Sequence, residues 1–398
     1  MTNNETLYIL HDIVEQKINI AILGSTGSIG RQTLDIISEY PEKFTPYLLT
    51  ANSSVDLLVE QARKYLPKYV IIADKKYYES VRNALADINT KVLAGAEAIT
   101  DAMNDPEIHT VVTAMVGYAG LSPTINAIKH GKNIALANKE TLVVAGDLIT
   151  RLLKNSDSKL YPVDSEHGAI WQCLAGEKHD DIYKLILTAS GGPFRTKTKE
   201  ELAHVTKEDA LRHPNWNMGA KITIDSATMM NKGFEVMEAK WLFGIDLDKI
   251  EVVVHPQSIV HSMVEFIDGS VKAQLGLPDM RIPIRYALGF PERLYSDKQR
   301  MSVSDYVNLT FEKPDYEKFP MLQLAYEAAK AGGNVPCVLN AANEIAVDAF
   351  LKGKISFNGI AQLVENCLSK VDYIASPSYE DYVSTNQDAR SLAEALLK

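Results

Sequence analysis

The chain has 398 residues and a formal net charge of −10, with 46% hydrophobic and 23% charged residues. This length exceeds one ordinary hydrophobic core and predicts two or three domains. The acidic balance argues against a nucleic-acid partner and against an anionic membrane surface, because both require a basic face. A local basic pocket for a phosphorylated ligand is compatible with it.

Cysteine usage and hydropathy predict a cytoplasmic protein. Cys173, Cys337 and Cys367 are far apart and lack C-x-x-C spacing, which indicates reduced core thiols. No run approaches the ~18 apolar residues that span a bilayer. Residues 1–6 lack the basic region and apolar stretch of a secretion signal, so we expect none.

The first predicted strand, residues 18–23, runs into the glycine turn GSTGSIG and then into a helical pattern. This order predicts a dinucleotide-binding βα unit, in which Gly24 permits the turn, Gly27 admits a pyrophosphate and Gly30 allows close packing. The spacing G-x-x-G-x-x-G differs from the usual G-x-G-x-x-G, and a glycine turn without a ligand is the alternative.

The end of the second predicted strand indicates which nucleotide binds. Sites that select NAD place an acid there to hold the ribose 2′-hydroxyl. Here Asn52, Ser53 and Ser54 follow the strand, and no acid occurs until Asp56. This favours NADP, although no Arg or Lys lies beside these residues and they are also ordinary turn formers.

Strands and helical segments alternate as far as residue 163, which predicts a Rossmann-like doubly wound parallel sheet over residues 1–163. The predicted strands are residues 18–23, 44–50, 69–73, 110–114, 133–137 and 159–163. Ligands in such sheets lie beyond the carboxyl ends of the strands. Asn138, Lys139 and Glu140 follow one of those ends.

The rest of the chain predicts a second and a third domain. Residues 164–289 read as a central α+β catalytic domain, with predicted strands at residues 183–189, 221–225, 251–255 and 270–275. Within it, the long Gly- and Pro-containing segment 190–219 is a predicted active-site lid. Residues 290–315 read as a linker and residues 316–398 as a C-terminal helical bundle.

Acidic side chains follow the last predicted strand of the first domain. Asp164 and Glu166 flank Ser165 at a strand-to-helix turn, where two carboxylates can converge on one point. Capping of the helix by Asp164 or Ser165, with Glu166 in its first turn, is the alternative.

A downstream helix adds a third acid and a set of phosphate-binding groups. Asn231, Lys232 and Glu235 share one helix face at i,i+3 and i,i+4 spacing. With Ser226 they supply a hydroxyl, an amide and an ammonium, which suit a phosphate monoester, while Glu235 can join the earlier carboxylates around a cation. An all-oxygen set favours Mg²⁺ or Mn²⁺. A solvated Lys232–Glu235 ion pair is the alternative.

The predicted lid carries His213, Trp216 and Met218, whose placement on a polar loop favours contact with a ligand. His255 and His261 lie beside apolar strands, and we expect them to be structural.

Six motifs in order resemble those of the 1-deoxy-D-xylulose 5-phosphate reductoisomerase family. They are GSTGSIG from residue 24, ALANKE from 135, DSEH from 164, SGGPFR from 190, HPNW from 213 and DSATMMNKG from 225. The resemblance continues through NAANEIA from residue 340 and covers nearly the whole chain. It implies rearrangement of a carbon skeleton by retro-aldol cleavage and re-addition, followed by reduction with NADPH.

The resemblance also implies site roles. It makes Asp164, Glu166 and Glu235 the ligands of Mg²⁺ or Mn²⁺, with Co²⁺ also compatible. It assigns the phosphate to Ser190, Ser226, Asn231 and Lys232, and the sugar hydroxyls to Ser165, Lys139 and His213. It assigns NADPH to Thr26, Gly27, Ser28, Ile29, Asn138, Glu140 and Gly219, places Trp216 in the lid, and leads us to expect a homodimer. A Lys that the family often uses for the 2′-phosphate is replaced here by Ser53 or Ser54.

Two other functions share parts of the pattern. A simple NADP-dependent semialdehyde or hydroxy-acid dehydrogenase would share the first domain, but it needs no carboxylate cluster beside a phosphate pocket. A semialdehyde enzyme also requires an activated cysteine. A non-catalytic NADP sensor would keep only the glycine turn. Dependence of activity on added Mg²⁺ or Mn²⁺ separates the reductoisomerase from both.

Overall fold

The computed structural model describes residues 17–212, 216 and 218–398. The expectations placed on residues 1–6 and on His213 lie outside these residues. All three cysteines lie within them, and each is buried and unbridged.

Seven parallel strands form the first sheet in the described part of the chain, in the order β4-β3-β2-β1-β5-β6-β7. They are β1 Ile18–Leu23, β2 Phe44–Ala51, β3 Tyr69–Ile72, β4 Lys91–Ala94, β5 Thr110–Thr113, β6 Asn133–Leu136 and β7 Leu160–Pro162. The strand order reverses between β1 and β5, so a ligand crevice is expected beyond their carboxyl ends. The predicted doubly wound sheet is confirmed, and β4 is a strand that the sequence analysis missed.

Helices cover both faces of this sheet. They are α1 Ser28–Glu39, α2 Val55–Tyr65, α3 Tyr78–Ala84, α4 Ala96–Ala102, α5 Leu121–Lys129 and α6 Glu140–Lys154. Helix α1 starts inside the glycine turn, and Gly30 lies so close to the turn that a Cβ there would be 2.3 Å from the Gly24 carbonyl oxygen. The third glycine therefore permits the close packing that the motif predicts.

A smaller mixed sheet follows α7 Ser165–Leu174. Among the described residues it contains β8 Ile182–Ala189, β9 Ile250–Val254, β10 Val260–Phe266 and β11 Val271–Leu275, in the order β11-β10-β8-β9. Strand β8 pairs parallel with β9 and antiparallel with β10. The predicted α+β character is confirmed, and β10 was not predicted.

The segment predicted as a strand at residues 221–225 is helical, so that prediction is wrong. It lies in α10 Ala220–Thr228, and the chain continues through Met229 at positive φ into α11 Met230–Phe243. Lys221 and Asp225 form an ion pair of 2.8 Å at i,i+4, and Ile224, Ala227 and Thr228 are buried along one helix face. Tertiary packing thus overrides the strand preference of a β-branched run.

The predicted lid, residues 190–219, contains the short helices α8 Lys199–Leu202 and α9 Lys207–Ala210, each with a capping box. Helix α12 Arg281–Gly289 then packs on the first sheet. Residues 290–315, the predicted linker, carry little regular structure.

The chain ends in a helical bundle, as predicted. Its helices are α13 Pro320–Ala331, α14 Val335–Leu351, α15 Phe357–Leu368 and α16 Tyr379–Leu396. The bundle shares one hydrophobic core with the second sheet, and its Cys337 and Tyr382 also join the core on one face of the first sheet. Within the described residues, no helix combines the length and apolar character needed to cross a membrane.

Candidate active site

A cavity of about 670 Å³ opens where the glycine turn, α7, α10 and α11 meet. It is lined by residues from elements far apart in sequence, including many that the sequence analysis selected. Those are Gly27, Ser28, Ile29, Lys139, Glu140, Asp164, Ser165, Glu166, Ser190, Trp216, Gly219, Ser226, Asn231, Lys232 and Glu235. The fold therefore brings the glycine turn, the acids and the predicted phosphate ligands to one space.

A second cavity, of about 870 Å³, lies on the other side of the glycine turn. Thr26 and Asn52 line it, whereas Ser53 and Ser54 are exposed and do not. Gly27 lines both cavities, as do residues 114–116. Two pockets joined at a helix N-terminus suit the two nucleosides of a dinucleotide, with the pyrophosphate between them.

Asn138 lines neither cavity, because it is fully buried. Its amide nitrogen donates to the carbonyl oxygens of Met115 and Gly117 and to Glu140 Oε2. Its side chain therefore fixes the backbone around the nucleotide cavity, and its place near a nicotinamide stays a prediction.

Asp164, Glu166 and Glu235 offer carboxylate oxygens that all lie within 4.8 Å of one another. Asp164 also caps α7, because its Oδ1 accepts the Glu166 amide at 3.2 Å. The alternative role as a helix cap therefore holds for Oδ1. Mg²⁺ binds oxygen ligands at about 2.1 Å and prefers carboxylates, which all three residues supply. The donor set therefore fits a hard divalent cation.

Two buried lysines form ion pairs with these acids. Lys139 Nζ lies 2.8 Å from Asp164 Oδ2 and 3.2 Å from Glu235 Oε1. Lys232 Nζ lies 2.9 Å from Glu166 Oε1 and also pairs with Glu235 Oε2. Lys232 and Glu235 are 4% and 1% exposed, so the alternative of a solvated ion pair is wrong.

The environment moves the pKa values of the two acids on α7 in opposite directions. Burial raises the pKa of Asp164, but the charges of Lys139 and His167 and its hydrogen bonds together outweigh burial and hold that pKa well below its usual value. Burial and the Glu235 charge raise the pKa of Glu166 to about 7, against the opposing effect of Lys232. At neutral pH Asp164 is therefore ionised, and Glu166 is partly protonated.

The predicted phosphate ligands Ser190, Ser226, Asn231 and Lys232 all line the cavity. A Cβ on Gly192 would be 2.7 Å from the Ser226 carbonyl oxygen, so this glycine at positive φ lets the turn after Ser190 pack on the end of α10. In the metal-free chain Asn231 already binds Lys139 and Glu235, at 2.8 and 2.6 Å. The amide and the ammonium predicted for phosphate are thus hydrogen-bonded to the acids.

Behind the acids lies a buried pair that the sequence analysis did not select. His167 Nε2 lies 2.9 Å from the Glu235 carbonyl oxygen, and its Nδ1 lies 3.2 Å from Glu238 Oε2. Burial raises the pKa of Glu238 to about 7, although His167 lowers it. With Asp164 these residues could form another metal-ligand group, but both are fully buried and line neither cavity, so the accessible site is the cluster with Glu166 and Glu235.

The two histidines that were expected to be structural have different surroundings in the structure. His255 Nδ1 binds the Thr310 carbonyl oxygen, and its Nε2 accepts the amides of Ile259 and Val260, so its role is structural. His261 lines the cavity, with its ring 6.3 Å from that of Trp216, and burial lowers its pKa. Its apolar sequence surroundings gave no signal of this placement.

Lys221 was another missed residue, because its segment was assigned to a strand. Its Nζ lies 2.8 Å from both Glu140 Oε1 and Asp225 Oδ2. Burial raises the pKa of Glu140, but Lys221 outweighs it and lowers that pKa overall. The Glu140 carboxylate is therefore committed to an ion pair that joins the first sheet to α10.

Together the fold and the cavities define a dinucleotide-binding enzyme with a carboxylate metal site. The family model described as 1-deoxy-D-xylulose 5-phosphate reductoisomerase matches residues 20–146, and two models of its C-terminal domains match residues 160–243 and 275–392. The chain belongs to the 1-deoxy-D-xylulose 5-phosphate reductoisomerase family.

Curated relatives and solved structures agree with this assignment. The reductoisomerases of Bacteroides fragilis and Phocaeicola vulgatus are 57% identical over 382 residues and 59% identical over 381 residues. These alignments cover 96% of this chain and 98% and 99% of the relatives. The Zymomonas mobilis enzyme in complex with NADPH matches with a TM-score of 0.90 and 46% identity, covering 96% of this chain and all of that one. A reductoisomerase in complex with NADPH, fosmidomycin and magnesium matches with a TM-score of 0.92 and 41% identity, covering 96% and 98%.

Proposed function

We propose that the chain converts 1-deoxy-D-xylulose 5-phosphate to 2-C-methyl-D-erythritol 4-phosphate, using NADPH and a divalent metal, in the synthesis of isoprenoid precursors. The observation that carries this proposal is one cavity that joins the glycine turn to three carboxylates and to Lys232. Reduction by NADPH requires the glycine turn, and a metal-assisted rearrangement requires the carboxylates. Binding of a sugar phosphate requires Lys232. Relatives with this name cover nearly the whole chain.

NADPH lies across the glycine turn in this proposal. The cavity containing Asn52 takes the adenosine half, and the cavity containing Lys139 takes the nicotinamide half. Gly27 caps α1, and the backbone amides of Ser28 and Ile29 in the first turn of the helix face the pyrophosphate in this proposal. Ser53 and Ser54 are available to the 2′-phosphate from the exposed rim. Asn138 fixes the backbone of residues 115 and 117, and Glu140 lies at the cavity wall paired with Lys221.

Asp164, Glu166 and Glu235 hold the divalent metal, with Mg²⁺, Mn²⁺ and Co²⁺ all compatible with their oxygen donors. When bound, the metal supplies Lewis-acid polarisation of the substrate ketone and its neighbouring hydroxyl. Lys232 neutralises two of these carboxylates in the metal-free chain. It can pair with the substrate phosphate once that neutralisation is no longer required, together with Ser190, Ser226 and Asn231.

The remaining residues bind the sugar and exclude water. Lys139 stays protonated and can donate hydrogen bonds to the sugar, because the nearby carboxylates, Asp164 and Glu235 first, outweigh burial and raise its pKa. Ser165 and His213 contact the sugar hydroxyls in this proposal, and Trp216 covers the cavity beside His261. A covered cavity protects an aldehyde intermediate from water until hydride transfer.

A cytoplasmic homodimer completes the proposal. The three buried, unbridged cysteines support a reducing compartment. Strand β11 forms an edge of the second sheet, and Val271 on it is 51% exposed. An unpaired edge of this kind is a template for pairing with a second copy. Sedimentation analysis would test the dimer directly.

The proposal predicts NADPH oxidation that requires both 1-deoxy-D-xylulose 5-phosphate and a divalent cation. The absorbance of NADPH should fall in the complete mixture. This fall should stop when a chelator is added and resume with excess Mg²⁺. Oxidation that continues in chelator would favour a simple dehydrogenase. Binding of NADPH with no turnover of this substrate would favour a nucleotide sensor.

A further inference from the structure

The loop that follows β5 forms a wall shared by both nucleotide cavities. This β5 loop comprises residues 114–119, and its first three residues, Ala114, Met115 and Val116, line both spaces. Tyr118 and Ala119 line the adenosine side. The position of this loop therefore affects both halves of any bound dinucleotide.

The first sheet supports the β5 loop on its inner side. A Cβ on Gly24 would lie 2.7 Å from the Ala114 carbonyl oxygen, so the glycine turn packs directly on the start of the loop. Asn138 Nδ2 donates to the carbonyl oxygens of Met115 and Gly117, at 2.8 and 2.9 Å. These contacts hold two carbonyl groups of the loop, and the Ala114 amide donates to the Leu23 carbonyl oxygen at 2.8 Å. The Tyr118 amide has a different partner.

That partner comes from the C-terminal bundle. Glu344 on α14 accepts the Tyr118 amide at its Oε1, at 3.1 Å. Gly117 has φ +72°, and a Cβ there would be 2.6 Å from the same oxygen. The carboxylate therefore sits directly against the loop backbone, 226 residues away along the chain.

Other groups of the bundle hold the Glu344 side chain. Asn340 Nδ2 donates to Glu344 Oε1 at 2.9 Å, and Arg390 on α16 forms an ion pair with Oε2. A carboxylate near an anionic cofactor raises the local negative potential, and Arg390 offsets that charge. The arrangement supplies an acceptor for the loop without leaving a bare charge near the pyrophosphate.

We propose that Glu344 is a positioning residue for the dinucleotide: it fixes the β5 loop from the C-terminal bundle, so that the bundle helps to set NADPH affinity. This inference rests on the nucleotide binding of the proposed function. Glu344 acts through the loop backbone and lines neither cavity. The bundle is thus coupled to the cofactor site through this carboxylate as well as through the shared hydrophobic core.

Glu344→Ala removes the acceptor and should raise the NADPH dissociation constant about tenfold, because a charge-assisted hydrogen bond to the loop is lost. Mn²⁺ affinity, measured by paramagnetic resonance, should stay within about twofold, because the carboxylate cluster belongs to other elements. Asp348→Ala is the matched control: it removes an acid on the same helix that forms an exposed ion pair with Lys352. It should leave both affinities unchanged.

Hydrogen exchange in the ligand-free protein provides a readout independent of NADPH. The amide of Tyr118 should exchange faster in Glu344→Ala than in the wild type or in Asp348→Ala. If Glu344→Ala does not fold, Arg390→Met, which leaves the acceptor but removes its ion-pair partner, should raise the NADPH dissociation constant in the same direction.

The outcomes separate this inference from the proposed function. If Glu344→Ala binds NADPH as tightly as the wild type, the positioning role is overturned. It is also overturned if the variant loses NADPH affinity and Mn²⁺ affinity equally. If the wild type binds no NADPH, the proposed function fails, while faster exchange at Tyr118 would still report the loop contact. Where Glu344→Ala does not fold, unchanged affinity in Arg390→Met overturns the role.

Discussion

Lys139 Nζ lies 2.8 Å from Asp164 Oδ2, and this ion pair joins the ends of β6 and β7 at the floor of the cavity. The two side chains are 8% and 12% exposed, so their attraction is little screened by solvent. Lys139 follows the strand that adjoins the nucleotide cavity, and Asp164 belongs to the carboxylate cluster. One buried contact therefore links the reducing half of the site to its metal-binding half.

Replacing a cluster carboxylate should abolish turnover and spare the nucleotide site. Asp164→Asn and Glu235→Gln each remove a charge from the metal ligands, and a loss of several kcal/mol of Lewis-acid stabilisation corresponds to at least ~100-fold in kcat. NADPH affinity should be unchanged, because the glycine turn lies on other elements. Steady-state kinetics and nucleotide titration measure the two effects.

The matched control for that experiment is Asp180→Asn, the same chemical change at an exposed position. It should retain wild-type turnover. Near-normal activity of Asp164→Asn or Glu235→Gln in the presence of folded protein would show that the acids do not hold the metal.

Metal affinity should fall as the pH drops below about 7. In the metal-free chain, burial and the Glu235 charge raise the pKa of Glu166 to about 7. A cation requires the ionised carboxylate, so binding competes with a proton below that pKa and is free of this competition above it. Calorimetric titration with Mn²⁺ should show affinity falling by up to ~10-fold per pH unit below 7, with proton release. A flat profile between pH 8 and 6 would exclude this role of Glu166.

NADPH should be preferred over NADH, but modestly. No acid occupies residues 51–54, and no cationic side chain lines the adenosine-side cavity among the described residues. Ser53→Asp should shift the ratio of kcat/KM values towards NADH, because the new carboxylate repels a 2′-phosphate and accepts a 2′-hydroxyl. Equal ratios for the wild type and the variant, or equal use of both cofactors by the wild type, would contradict this assignment.

Trp216→Ala should weaken substrate binding more than NADPH binding. The indole lines the cavity beside His261, so its loss removes an apolar cover from the sugar side. We expect KM for the sugar phosphate to rise about tenfold, in line with the loss of a buried aromatic contact. Trp216→Phe keeps an aromatic ring and should therefore have a KM close to that of the wild type. An unchanged KM in the alanine variant would count against the contact.

Local patterns predicted most of the fold. The glycine turn and the alternation of apolar strands with helices were sufficient for the first sheet. Residues 221–225 were assigned wrongly because their β-branched sequence favours a strand in isolation, whereas burial of one face and the Lys221–Asp225 pair make it helical. Strand β4, with one exposed and three half-buried residues, lacks the apolar run that marked its neighbours.

The candidate site was predictable where its residues sit in motifs and not where distant elements meet. Asp164 and Glu166 lie at a strand-to-helix turn, where two carboxylates can converge on one point. Glu238 and Glu344 lie within helices, and their partners His167 and Tyr118 are 71 and 226 residues away. Nothing in the helical pattern distinguishes these acids from solvated ones, so only the tertiary structure reveals them.

The most direct test of the account is the position of the transferred hydride in the product. Incubation with 1-deoxy-D-xylulose 5-phosphate, Mg²⁺ and NADPH deuterated at the reactive carbon should give 2-C-methyl-D-erythritol 4-phosphate carrying a single deuterium at its newly reduced carbon. Nuclear magnetic resonance distinguishes this branched skeleton from a straight one. Deuterium in an unbranched sugar alcohol would show a simple dehydrogenase, and the branched product formed in chelator would show a rearrangement that needs no metal; either result would contradict the account.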